Sequence, residues 1–362
     1  MNQNVSARQV GMFAIISLFA LKLLFLPSFL FEDSNNYSIF EFAVLICVDI
    51  IFLFLILKVK QKYPDKTFFS LIVKIFGNFF SKIIFIALTL FFMIKFLYLG
   101  AESYNYLRDA LLDEANIVLF LVCFLPVVNV LAWNGIKGLF RTNEFFFVIL
   151  LVCFILCIWF SFGTTTEPLF FDFGEFKVDR FLNSTLSRFM WFGDFLFVAI
   201  ILDKLPAKKK DHRKIFAYAV LGVIFLLFFM FAFLRLFQNT SFLHSNAISE
   251  ITQFNGEFAH VGKIEIISIG FIMFTVFFQG ALFIFCGKEC ATNIVNNPLG
   301  CQTFICTVPV VTSIFIVPGV LGASQILYWS SMFLSPVLFV FFTIFFLITL
   351  LKKNKKLKER PS

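Results

Sequence analysis

The chain has 362 residues, of which 60% are hydrophobic and only 14% charged, with a mean hydropathy of +0.93 and a net charge of +8. A water-soluble globule needs far more polar surface than this. The composition therefore speaks against a soluble enzyme and for a polytopic membrane protein, with no stretch long enough for a separate soluble domain. Phenylalanine is extreme, at 60 residues against 4 Trp and 7 Tyr, and reads as an apolar code with a bias rather than a cofactor box.

A helical span needs about 20 mostly apolar residues to cross about 30 Å of hydrocarbon, and helices leave no backbone group unpaired in lipid. The first such run, at 10–30, is as long as a span and lacks a small-residue cleavage site, so it reads as an anchor and not a leader. Within it lies Lys22, between Phe19-Ala20-Leu21 and Leu23-Leu24-Phe25. Ionisable groups at that depth mark a pathway, a site or an ion pair. Lys22 is either half of a structural pair or a direct ligand contact. The second run, 39–57, carries Asp49 as a lesser polar point.

The third run, 82–107, holds Lys95, Tyr98 and Glu102 at i, i+3 and i+7, which is one helical face. A polar stripe on an apolar helix points into a bundle. The fourth, 117–133, is short and contains Pro126; the fifth is 144–162. The sixth, 184–204, carries Arg188, Gly193 and Asp194, with Asp203 at its far end. Glycine beside a carboxylate in mid-span is what a broken helix uses, because unwinding exposes backbone groups to a substrate. Asp194 paired with Lys22 or Lys95 is the plainer reading, and the two are compatible. The remaining runs are 215–236, 263–286 with Gln279, 302–322 and 327–351. Lys263 and Glu265, at the start of the eighth, read as a surface or snorkelled pair.

Ten spans also satisfy the charge distribution. With the N-terminus in the cytosol, most of the 30 basic residues fall on the inner side: Arg8, the stretch Lys58 to Lys82, Lys137 and Arg141, the stretch Lys204 to Lys214, Lys288, and the tail after Leu351. The outer loops hold Arg108, Lys177 and Arg180 and are otherwise acidic, with Glu32, Asp33, Asp113, Glu114, Glu167, Asp172, Glu175, Asp179, Glu250 and Glu257. The positive-inside rule then puts both termini in the cytosol. The basic tail would favour the anionic headgroups of the bilayer; no folded nucleic-acid reader accompanies it. The loops 163–183 and 237–262 could cover an outer vestibule or be plain solvated connectors.

No nucleophile–base pair, HExxH or Walker loop occurs, so no catalysis is expected. His212, His244 and His260 lie in loops. Cys47, Cys123, Cys153 and Cys157 sit in apolar runs as small hydrophobes. Cys286, Cys290, Cys301 and Cys306 surround one loop without a zinc-ligand spacing. Neither a metal nor a cofactor is expected.

Several stretches together resemble the B subunit of the spore germination receptors, the Ger-type permease family, within the amino acid–polyamine–organocation (APC) superfamily. They are Val5-Ser6-Ala7-Arg8-Gln9 and Leu26-Pro27-Ser28, then Tyr63-Pro64-Asp65-Lys66-Thr67-Phe68 leading to Ile75-Phe76-Gly77. The turn Asn134-Gly135-Ile136-Lys137-Gly138, the step Phe192-Gly193-Asp194, and Gly256-Glu257-Phe258 follow in the same order. The resemblance implies one transmembrane domain over 1–362 with a LeuT-like five-plus-five inverted repeat, 10–162 against 184–351. Spans 1 and 6 would be interrupted at the midplane, and 352–362 would form a cytoplasmic tail. It further implies a small-molecule pocket near Ala20, Lys22, Lys95, Tyr98, Glu102, Gly193, Asp194 and Gln279, taking an amino acid as germinant. Partner subunits, one with soluble domains and one a lipoprotein, are implied too. A secondary amino-acid transporter of the same fold is the other reading. The chain departs from the family where span 1 has Lys22 in place of a glycine. A fixed ammonium there could stand where sodium sits in related transporters.

Overall fold

The computed structural model describes residues 5–24, 26–27, 38–111, 117–161, 177–237, 240, 247–253, 265–316 and 330–352. Among these the chain is all helix, turn and bend. The helices are α1 (Ala7–Leu24), α2 (Ser38–Lys62), α3 (Phe68–Leu111), α4 (Ile117–Trp133) and α5 (Gly135–Ser161). After them come α6 (Val178–Ser187), α7 (Leu196–Ile200), α8 (Lys209–Phe237), α9 (Ala247–Gln253), α10 (Glu265–Thr292), α11 (Pro298–Ile316) and α12 (Ser335–Leu351). Seven described helices are long and apolar enough to cross a membrane. With the shorter apolar α4 and α11 and the interrupted sixth pass, they fill the ten places expected.

The first span is the centre of the bundle. Ala7–Leu24 is buried on nearly every side, including Ser17 and Lys22. It packs most extensively against α8, and small residues allow the approach. A Cβ on Gly11 would run into the Tyr218 ring, and one on Gly222 would lie 3.3 Å from the Ile15 Cα. Such small-residue contacts are how helices associate where lipid offers no hydrophobic drive. The other principal pairing is α3 with α10, where Gly280 sits against Phe96 of α3 and against Phe124 and Val128 of α4.

Two expectations about where spans break or begin need correction. No break falls at Lys22 itself: α1 is continuous through Leu24, and Lys22 lies in its last turn. Between Met12 and Leu24 the span has neither glycine nor proline, so no residue there favours an earlier opening. The third span is much longer than 82–107, because α3 begins at Phe68. Its backbone turns at Gly77, where φ is +80°, a left-handed value that a side chain would strain. Before that turn, Phe68 and Phe76 lie against the last span, with ring centroids 5.7 Å from Phe342 and 5.4 Å from Phe341 respectively. The apolar spacing of Phe68, Leu71 and Ile72, all buried, makes this first limb a packed element that precedes the expected span.

Two lysines at the end of α2 serve backbone carbonyls at one end of the bundle. Lys62 at the end of α2 donates to the carbonyls of Thr349, Leu350 and Lys352, at 3.2, 2.6 and 2.5 Å, at the end of α12. A cation placed on the last carbonyls of a helix satisfies groups that have no intrahelical donor. Buried Lys60 donates to the Pro64 carbonyl at 2.6 Å. The tail after Lys352, Lys263, Gly256-Glu257-Phe258 and most of the acidic loop residues lie outside the described residues.

Candidate functional site

The sixth pass supplies the centre of the site. α6 ends at Ser187, a single 3-10 turn covers Phe189–Trp191, and Phe192 is extended. Gly193 then takes φ +79°, and the chain re-enters the short α7. A Cβ on Gly193 would meet the Phe91 and Phe339 rings at 3.7 and 3.8 Å, an ordinary contact, so it is the left-handed backbone that selects glycine here. Opening the helix at this point frees the Gly193 N–H and the Phe192 carbonyl for partners elsewhere in the bundle.

Both find them in charged side chains. Asp49 Oδ1 accepts the Gly193 N–H at 2.7 Å, and Lys95 Nζ donates to the Phe192 carbonyl at 2.6 Å. Lys95 also pairs with Asp194 Oδ1 at 2.9 Å. Lys22 Nζ contacts Asp194 Oδ2 directly and lies 3.8 Å from Asp49 Oδ2. The Phe192 ring lies 4.7 Å from Lys22 Nζ, and the Phe91 ring 5.4 Å from Lys95 Nζ, both positions in which an aromatic face attracts a cation. Gln279 donates from Nε2 to the Ser17 carbonyl at 3.0 Å and to Asp194 Oδ1 at 3.3 Å. The four charged side chains are each no more than 1% exposed.

Local helix patterns bring these groups inward. On α2, Phe42, Leu45, Asp49, Phe52 and Ile56 form the buried face, while Val44, Ile51 and Phe54 point outward. On α3, Leu88, Phe92, Lys95, Leu99 and Glu102 share the buried face. On α10, Ile272, Val276, Gln279 and Phe283 do the same. Spans 1, 2, 3, 6 and 8 thus each send one polar side chain to one point. With two cations and two anions it is electrically neutral, which is how charge persists in a dry interior.

A second polar group lies toward the other end of α3. Tyr98 hydrogen-bonds to Glu102, and its ring meets Trp191 edge-on, centroids 4.8 Å apart. Ser184 Oγ donates to Glu41 Oε2 at 2.7 Å and accepts from Arg188 Nη1 at 3.0 Å, linking spans 2 and 6. Of the expected site residues, Lys22, Lys95, Gly193, Asp194 and Gln279 converge. Tyr98 and Glu102 form this neighbouring pair, and Ala20 is buried in α1 two residues from Lys22. Asp49 is the member whose importance the sequence understated. A small cavity adjoins Gly193, walled by Phe52, Phe91, Leu338, Phe339 and Phe342. Among the described residues no group of three or more His, Cys, Asp or Glu is placed to hold a metal ion.

An all-helical bundle whose sixth pass opens beside a buried ion cluster belongs to the LeuT-like class of membrane-transporter folds. Comparison with solved structures gives the same class. A nucleobase–cation–symport-1 family transporter, Mhp1, in a closed conformation with bromovinylhydantoin bound, superposes with a TM-score of 0.58 at 14% identity. The match covers 91% of this chain and 77% of that one. The manganese transporter of Eremococcus coleocola, in a point-mutant form, gives 0.56 at 10% identity, covering 94% and 78%. At such identities the likeness is one of fold. No protein-family model matches the sequence, and a search of curated proteins gives no match.

Proposed function

We propose that the chain is a secondary transporter of a small zwitterionic solute, an amino acid being the best fit, and that the solute binds at the Lys22–Lys95–Asp194 cluster. The observation that carries this reading is the meeting of two buried ammonium groups with the opened backbone of span 6. A carboxylate entering there has ready cationic partners, and the cavity beside Gly193 gives an apolar side chain a place. Tyr98, Trp191, Glu102 and Arg188 lie on the outer side of the cluster in the orientation the charge distribution favours, with both termini cytosolic. Solute binding biases a rocking equilibrium only by favouring one arrangement of the spans.

A second reading, the membrane subunit of a spore germinant receptor acting with a soluble-domain subunit and a lipoprotein, draws support from one feature. The positions near the break are filled by two fixed ammonium groups, so the cluster is already charge-balanced without a coupling cation. A ligand sensor needs no ion gradient. Uptake of labelled amino acids by proteoliposomes containing the purified chain alone supports the transporter. No uptake, together with loss of germination on deletion of the gene, supports the receptor. In either case Lys22→Ala is expected to abolish the solute response while the protein still inserts; an unchanged response removes Lys22 from the site.

A further inference from the structure

The two aspartates of the cluster are unequally supplied. Asp194 receives both lysines and the Gln279 amide. Asp49 has the Gly193 N–H on Oδ1, while Oδ2 has no hydrogen-bond partner among the described residues and only Lys22 within ion-pair range, 3.8 Å away. A buried carboxylate oxygen without a donor is costly, and such an exception in a folded protein calls for an explanation. Gln279 Oε1, also buried, is a second acceptor of the cluster without a hydrogen-bond partner among the described residues.

We infer that Asp49 is the anchor for the ammonium group of the solute, so that the site selects α-amino acids over carboxylates that lack an amine. This rests on the cluster being the solute site, and deepens that reading by naming the group that reads the amine. The event is an exchange of ion pairs, with no bond made or broken. The solute carboxylate draws Lys22 away from Asp194. Lys95 stays on Asp194, held there also by the Phe192 carbonyl. Asp49 then loses its nearest cation, and the solute ammonium replaces it at Oδ2.

Charge counting makes the amine necessary. The charged groups around Asp49 are Lys22 from α1, Lys95 from α3 and Asp194 from span 6. Together with Asp49 they sum to zero, and a zwitterion keeps that sum. A carboxylate without an amine leaves one buried anion uncompensated, which is strongly unfavourable in a dry interior. The closeness of Lys22 Nζ to Asp49 Oδ2 matches a head group that carries both charges on one carbon. Because Asp49 Oδ1 holds the Gly193 N–H, occupancy of Oδ2 is transmitted directly to the break in span 6.

The test uses the purified full-length chain in nanodiscs and calorimetric titration with each of the twenty L-amino acids. The best binder is then compared with the same carbon skeleton lacking the amine, in two buffers of different ionisation enthalpy. Loss of the amine is expected to weaken binding by on the order of 10- to 100-fold, as for a hydrogen bond to a charged group, with no net proton uptake by the wild type. Asp49→Asn should weaken amino-acid binding by a similar factor while its thermal midpoint shows it folded. If that variant does not fold, the amine comparison on the wild-type protein decides alone. Equal binding of the amine-free analogue, undiminished affinity in folded Asp49→Asn, or uptake of one proton on binding overturns the proposal. If none of the twenty binds, the reading of the cluster as a solute site fails, and this inference with it.

Discussion

The first and fifth spans are both strongly apolar helices, yet their surroundings are opposite. In the first, 89% of the span's apolar window is buried; in the fifth, 33%. The fifth buries Phe140, Phe147, Leu150 and Phe154 on one face and turns Phe145, Val148, Val152 and Trp159 outward. The first has no outward face and can therefore keep Lys22 at no exposure at all. Hydrophobicity alone does not separate a helix wrapped by protein from one bathed in lipid. A charge in mid-span does, because only the wrapped helix can bring counter-charges to it.

This contrast can be broken most sharply at the ion cluster. Asp194→Ala leaves Lys22 and Lys95 with Asp49 alone and should destabilise the fold by about 3–5 kcal/mol, the cost of stranding a buried charge. Denaturation in micelles measures it, and adding Lys22→Ala to that variant should recover part of the loss. A loss no larger than for an exposed substitution would show that the pairs do not hold the centre together. At the seam between the first span and α8, Gly11→Leu forces Tyr218 aside and should cost about 1–3 kcal/mol by overpacking. A wild-type midpoint there would mean the seam is loose. Lys62→Met removes the donor from the last carbonyls of α12 and should cost about 0.3–1 kcal/mol, read as faster amide exchange confined to the end of that helix. The smallest effect belongs to the outer face of the fifth span. Phe145→Leu, at a position 75% exposed, should stay within about 0.5 kcal/mol of wild type; a larger change would place a protein neighbour there.

Much of the bundle was legible because lipid imposes a length on every span. The opening of span 6 was legible for a local reason: glycine and aspartate adjoin in an apolar run, and few other structures use that pair. The Lys22–Asp194 contact followed from the cost of leaving either charge alone. Asp49 was read as minor because its partner is a backbone N–H that exists only once Gly193 has left the helix, and no side-chain pattern announces it. The first limb of α3 was missed since Lys74 and Lys82 were counted among the charges between spans, whereas burial of Phe68, Leu71 and Ile72 decides the conformation. Within the described residues α1 stays helical through Lys22 to Leu24, so Lys22 does not mark the break itself.

Gly77 gives α3 two allegiances. Below it, Phe68 and Phe76 are clamped to the rings of the last span; above it, Phe92 and Phe96 run along α10, where Phe283 and Gly280 face them. If the proposed transport cycle tilts the last span relative to the eighth, Gly77 is the point of α3 at which the two limbs would part. A side chain at that position would strain the left-handed backbone while leaving the ion pairs of the centre untouched.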